Sequence, residues 1–149
     1  MSTSARGYRR RSRSKRILVA DQSPANGPLT ARRVAENEAR VRKVNEEIEA
    51  AVERLRPDLR LVPFVCECGH PACIVTLRLP LEDYNAVRNH GRWFICSPGH
   101  ELTQAGHERI IETRDGFVIV EKQGEAAEVA ERLDPRAEGQ AADTAADND

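Results

Sequence analysis

Phe64-Val-Cys-Glu-Cys-Gly-His-Pro-Ala-Cys73 holds three of the chain's four cysteines. Residues i and i+2 of an extended chain point to the same side, so Cys66 and Cys68 can turn both sulfurs toward one point. Gly69 and Pro71 then bend the chain and Cys73 returns to it. Three soft donors this close together make most of a tetrahedral metal site, and zinc suits such a set. The fourth donor must come from farther along. Cys96 and His100 are the candidates, on either side of the Pro98-Gly99 bend. His100 is favoured because a Pro-Gly turn can present a side chain to a fixed point. Cys96 ends the apolar run Trp93-Phe-Ile-Cys96 and reads as a small buried hydrophobe. The expected ligands are Cys66, Cys68, Cys73 and His100.

His70, inside the bend, would strain the geometry as a ligand, and His90 and His107 have no placed partner. Glu67 and Glu101 are the acids near enough to serve as a general base on metal-bound water. The Glu67 side chain is expected on the face opposite the sulfurs, in solvent. Three cysteines and one histidine fill all four positions, and closed sites are structural. There is no nucleotide-binding glycine loop and no serine nucleophile elbow. No His/Asp arrangement for activating a cysteine can be argued from spacing. No catalytic residue is therefore expected.

Working outward, residues 29–56 read as a long amphipathic helix with Thr30 as N-cap and Pro57 as its stop. Val34, Val41, Val44, Ile48, Val52 and Leu55 form a narrow stripe, with Glu38, Arg42, Glu46, Glu49 and other charges on the rest of the surface. The stripe packs on the following domain or, over about three heptads, forms a short homodimeric coiled coil. Residues 57–122 read as a small zinc-binding α+β domain with a mixed or antiparallel sheet. Leu61–Val65 and the alternating Ile74–Leu79 are strands, and Pro80 opens a short helix over Leu81–Arg88, with Tyr84 as a packing residue. Trp93–Cys96 is another strand. Arg109–Thr113 and Gly116–Glu121 make a hairpin, signalled by Asp115-Gly116.

The ends differ in charge. Among residues 1–16 are six arginines and one lysine with no acid, and residues 125–149 carry eight acids against Arg132 and Arg136. Net charge is −1, charged residues are 32% of the chain and aromatics 4%. Such composition predicts a disordered basic arm over 1–28 and a disordered acidic tail over 123–149, with transient helix over 125–133. No apolar run approaches the roughly 18–20 residues that cross a bilayer. Ile17-Leu-Val-Ala20 is too short for a signal peptide's core. A cytoplasmic protein is expected, where clustered cysteines more often bind metal than form disulfides.

Two resemblances add to this reading. Cys66-Glu-Cys-Gly-His-Pro-Ala-Cys73 is similar in spacing to the C-x-C-x4-C zinc motif of the post-SET tail of protein lysine methyltransferases. That similarity implies zinc geometry, and nothing like a methyl-donor site accompanies it. More widely, residues 34–122 resemble a family of small uncharacterised bacterial proteins of actinobacterial type. The resemblance rests on Asn37-Glu-Ala-Arg-Val-Arg-Lys-Val-Asn-Glu-Glu-Ile48, Phe64-Val-Cys-Glu-Cys68 with Cys73, Asp83-Tyr84, Val87-Arg88, Pro98-Gly-His-Glu101, Glu108–Glu112 and Val118–Lys122. It implies Cys66, Cys68, Cys73 and His100 as the functional set and names no activity.

The expected function is a non-enzymatic, zinc-stabilised binding or regulatory module. Its partner is a protein, met by the helix stripe, or nucleic acid, met by Arg6, Arg9, Arg10, Arg11, Arg13, Lys15 and Arg16. The arm offers phosphate neutralisation without a base-reading element. The alternative is a thiol-based redox sensor that releases zinc on oxidation; a hydrolytic zinc enzyme ranks below both.

Overall fold

A computed structural model describes residues 30–103 and 106–137. Their order is α1 (Ala31–Leu55), β1 (Val62–Val65), β2 (Thr76–Leu79), α2 (Leu81–Arg88), β3 (Trp93–Cys96), β4 (Glu108–Arg114), β5 (Phe117–Lys122) and α3 (Gly124–Arg132). The class is α+β. β1 and β2 form an antiparallel pair, and β3, β5 and β4 form an antiparallel sheet with β5 in the middle. The central position of β5 explains its nearly unbroken apolar run Phe117-Val-Ile-Val120, all buried. The hairpin turns at Gly116, whose φ of 84° lies in the left-handed region that glycine tolerates.

α1 is built of good helix formers and contains no glycine or proline. The Thr30 side chain accepts the Arg33 backbone N–H at 3.3 Å and caps its start. Its buried face corrects the valine stripe. Val34 is buried, and Ile48 and Val52 pack half-buried on the core, but Val44 and Leu55 are exposed. Between the apolar residues the helix turns Glu38, Arg42, Asn45 and Glu49 inward. A stripe drawn from apolar residues alone cannot find this face, because each of these residues bonds to a part of the chain distant in sequence.

Arg42 lies over the Phe94 ring, 3.5 Å from its centroid, and donates to the carbonyls of Gly91 and Trp93. Lys122 reaches back from the end of β5 to pair with both Glu38 and Glu108. Asn45 bonds the β1 backbone in both directions, donating to the Val65 carbonyl at 2.9 Å and accepting its N–H at 2.8 Å. Together these contacts fix the helix in register against the strands, which an apolar stripe alone would leave free to slide.

The acidic tail also needs correction over residues 124–137. α3 buries Ala126, Ala127, Val129 and Ala130 against the core, where small side chains permit close approach to α1. Just beyond it, Asp134 pairs with the buried Arg88, and Arg136 pairs with Glu46 and Glu49. Charges that composition assigns to a solvated tail clamp α1 to α2. The remaining acidic residues, 138–149, and the basic arm over 1–28 lie outside the described residues. Among the described residues no helix is long and apolar enough to cross a membrane.

Candidate metal centre

Beyond β1 the chain stays extended for two residues, and each is tied to a different sheet. The Cys66 N–H donates to the Val75 carbonyl and the Glu67 N–H to the Ile95 carbonyl, both at 2.8 Å. The alternation of an extended chain then puts the Cys66 and Cys68 sulfurs on one side and Glu67 on the other. Gly69 makes the turn with φ of 72°. No other residue fits there. A Cβ at Gly69 would sit 2.6 Å from Val34 Cγ1 and 3.0 Å from the Val34 carbonyl oxygen, so the knuckle rests directly on α1. Asn37 donates to the Gly69 carbonyl at 3.0 Å and holds it there. The turn closes when the Cys73 N–H donates to the His70 carbonyl.

His100 arrives from the opposite side. Its N–H donates to the Ser97 carbonyl at 2.9 Å, closing the Pro98-Gly99 bend, where Gly99 has φ of 87°. The Glu101 carboxylate accepts the Gly99 N–H at 2.8 Å. Cys66, Cys68, Cys73 and His100 thereby bring four ligand atoms within 4.8 Å of one another. His100 Nδ1 stands 3.6 Å from the Cys66 sulfur and 3.5 Å from the Cys73 sulfur. Ordinary Zn–S and Zn–N bond lengths at a tetrahedral angle require a separation of about 3.5 Å between a sulfur and a nitrogen. The four donors can hold a metal ion. The Ser97 N–H points at the Cys66 sulfur, 3.2 Å away, and would share the charge of a thiolate.

The Cys66 and Cys68 thiols resist ionisation. For Cys66, the hydrogen bond from Cys68 lowers the pKa, but that with Cys96 and burial outweigh it, and the thiol is pushed up to about 12. At Cys68, the hydrogen bond with Cys66 and burial raise it as well. A divalent cation reverses this, since its charge deprotonates the thiols that bind it.

The other candidates fall outside the donor set. Cys96 is buried and does not belong to the converging group. His70 is exposed and its Nδ1 accepts the Ala72 N–H at 3.2 Å. His90 stacks on Trp93, with ring centroids 3.8 Å apart.

No family model, curated protein or solved structure matches this chain.

Glu67 departs from its sequence reading in one respect. It faces away from the sulfurs as expected, but it is fully buried, not solvated. Asn45 Nδ2 donates to it at 3.0 Å, Tyr84 Oη at 3.4 Å and the Ile95 N–H at 3.1 Å. Tyr84 in turn stacks on Phe64 at 4.0 Å. Glu67 therefore anchors the segment that carries two ligands to α1, α2 and β3. Spacing could not reveal this, because all three donors come from other elements.

Proposed function

We propose that the chain is a non-enzymatic, zinc-stabilised binding and regulatory module. The observation that carries this reading is the convergence of Cys66, Cys68, Cys73 and His100 within 4.8 Å of one another, with His100 at zinc-like separations from the Cys66 and Cys73 sulfurs. Such a set leaves no coordination position for substrate. Both acids near enough to act as a base are otherwise engaged: Glu67 is buried facing away, and Glu101 accepts the Gly99 N–H. The partner is a protein or a nucleic acid. For nucleic acid the contact residues are Arg9, Arg10, Arg11, Arg13, Lys15 and Arg16, and retention should weaken steeply with salt. A cytoplasmic location belongs to the same proposal.

Elemental mass spectrometry on wild type, His100→Ala and Cys96→Ser, each with a thermal melt, tests the reading. The expected result is one zinc per chain in wild type and Cys96→Ser, and a large loss in His100→Ala. Full zinc retention in His100→Ala would sink the closed site and return the enzyme reading.

One observation favours the redox alternative. Cys68 and Cys73 line an open cleft of about 510 Å³, through which an oxidant reaches the donor sulfurs. Peroxide would take two electrons from a pair of thiolates, forming a disulfide and two waters with uptake of two protons, and would release the ion. Zinc release by mild peroxide, followed with a chromogenic chelator, separates the two readings.

A further inference from the structure

The cleft beside the donor sulfurs is mostly apolar. Its walls include Ala72, Ile74, Val75 and Leu102, and its floor Cys68 and His100. Ile74 is 87% exposed, the most solvent-facing of the large apolar side chains described. Val75 and Leu102, each 37% exposed, line the same cleft. At about 510 Å³ the cleft has the dimensions of a ligand pocket and room for several aliphatic side chains.

The start of α1 lies next to it. Val34, one turn into the helix, touches the knuckle at Gly69, between cleft residues Cys68 and His70. Leu102 lines both this cleft and a smaller neighbouring cavity that includes Ala31 and Val34. The first turn of α1 therefore lies close to the cleft. Within residues 1–29 one run of four consecutive aliphatic residues stands out, Ile17-Leu-Val-Ala20. Nine residues lie between Ala20 and Thr30, so ten residue steps give a reach of about 33–36 Å.

We infer that Ile17-Leu-Val-Ala20 of the same chain docks in the apolar cleft beside the Cys/His site. The tether holds the segment at an effective concentration on the order of millimolar, which favours it over a second copy at ordinary protein concentrations. Docking would place the basic run Arg9–Arg16 at the edge of the site, and a partner that binds either element would feel the other. This goes beyond the metal reading and does not depend on which ion is bound.

The test uses the zinc-loaded full chain, with methyl-labelled Ile, Leu and Val, by nuclear Overhauser spectroscopy and amide hydrogen exchange. Expected are contacts from the methyls of Ile17, Leu18 and Val19 to those of Ile74, Val75 and Leu102, unchanged on tenfold dilution. Exchange at residues 17–20 should be about tenfold slower than in the Leu18→Asp variant, the effect of burying about one aliphatic side chain. Ile74→Ser, at a solvent-facing position, should remove the same protection while keeping the metal content and thermal melt of wild type. Unprotected exchange at 17–20 in wild type overturns the proposal. Contacts that vanish on dilution overturn it in favour of a second copy. Zinc content measured on the same samples keeps a failure here distinct from a failure of the metal site.

Discussion

Two polar groups lie near the contact between Gly69 and α1, and they solve the same electrostatic problem differently. The Cys66–Cys68–Cys73–His100 set offers donors and no cation of its own. The Glu38–Lys122–Glu108 cluster carries its cation within the chain. One ammonium cannot neutralise two carboxylates in a dry interior. Glu38 accordingly has a pKa raised to about 8, as burial outweighs its attraction to Lys122. Its Oε2 has no partner among the described residues, as suits a carboxyl that keeps its proton. The difference is that on one side the donors can take their cation from outside the chain. On the other side, chain topology delivers the charge.

Removing each cation is the strongest way to break the comparison. A high-affinity chelator should unfold the metal side, since structural zinc contributes on the order of 10 kcal/mol in small finger domains. A thermal melt with and without chelator reads this, and an unchanged melt would show that the donor set is not a structural centre. Lys122→Met removes the internal cation and leaves two carboxyls facing each other. It should cost about 3–5 kcal/mol in chemical denaturation, with zinc content retained.

The pH dependence sharpens the contrast. Between the ordinary carboxyl value of 4.5 and about 8, the folded chain keeps a proton at Glu38 that the unfolded chain has lost. Stability from this group therefore falls as pH rises through that window and levels off above it, by at most a few kcal/mol. Glu38→Gln, which keeps an acceptor for Lys122, should flatten that slope under saturating zinc. An identical slope in wild type and variant would remove Glu38 from the account.

Gly69→Ala strikes the seam between the two groups. The left-handed backbone costs about 1–2 kcal/mol, and the contact with Val34 adds to it. Because the neighbouring Cys68 would shift, zinc affinity should fall together with stability. If the melt drops while the zinc dissociation constant stays constant, the knuckle is not seated by α1 in the way described.

How much was legible in the sequence follows from the range of each interaction. The cysteine cluster, the bend at Pro98-Gly99 and the hairpin at Asp115-Gly116 are local signals, read from neighbours in the chain. The helix at 81–88 behind Pro80 and the strand at 93–96 are local too, and the structure places them at Leu81–Arg88 and Trp93–Cys96. Reading failed where a polar residue is buried by a distant partner. Glu38 meets Lys122 across 84 positions, and Arg136 meets Glu46 across 90. Hydropathy assigns all of these residues to the surface, because it prices a charge without its partner.

What the sequence by itself determined is the α+β class and a donor cluster built from chain-local bends. Whether a glutamate between two ligands faces water or the core was decided by tertiary structure. So was the presence of packed helix in the alanine- and acid-rich segment after β5. The physical reason is common to both: a buried charge is stable only beside its counter-charge or hydrogen-bond donors. For Glu67, Glu38 and Asp134 those partners come from other elements of the fold.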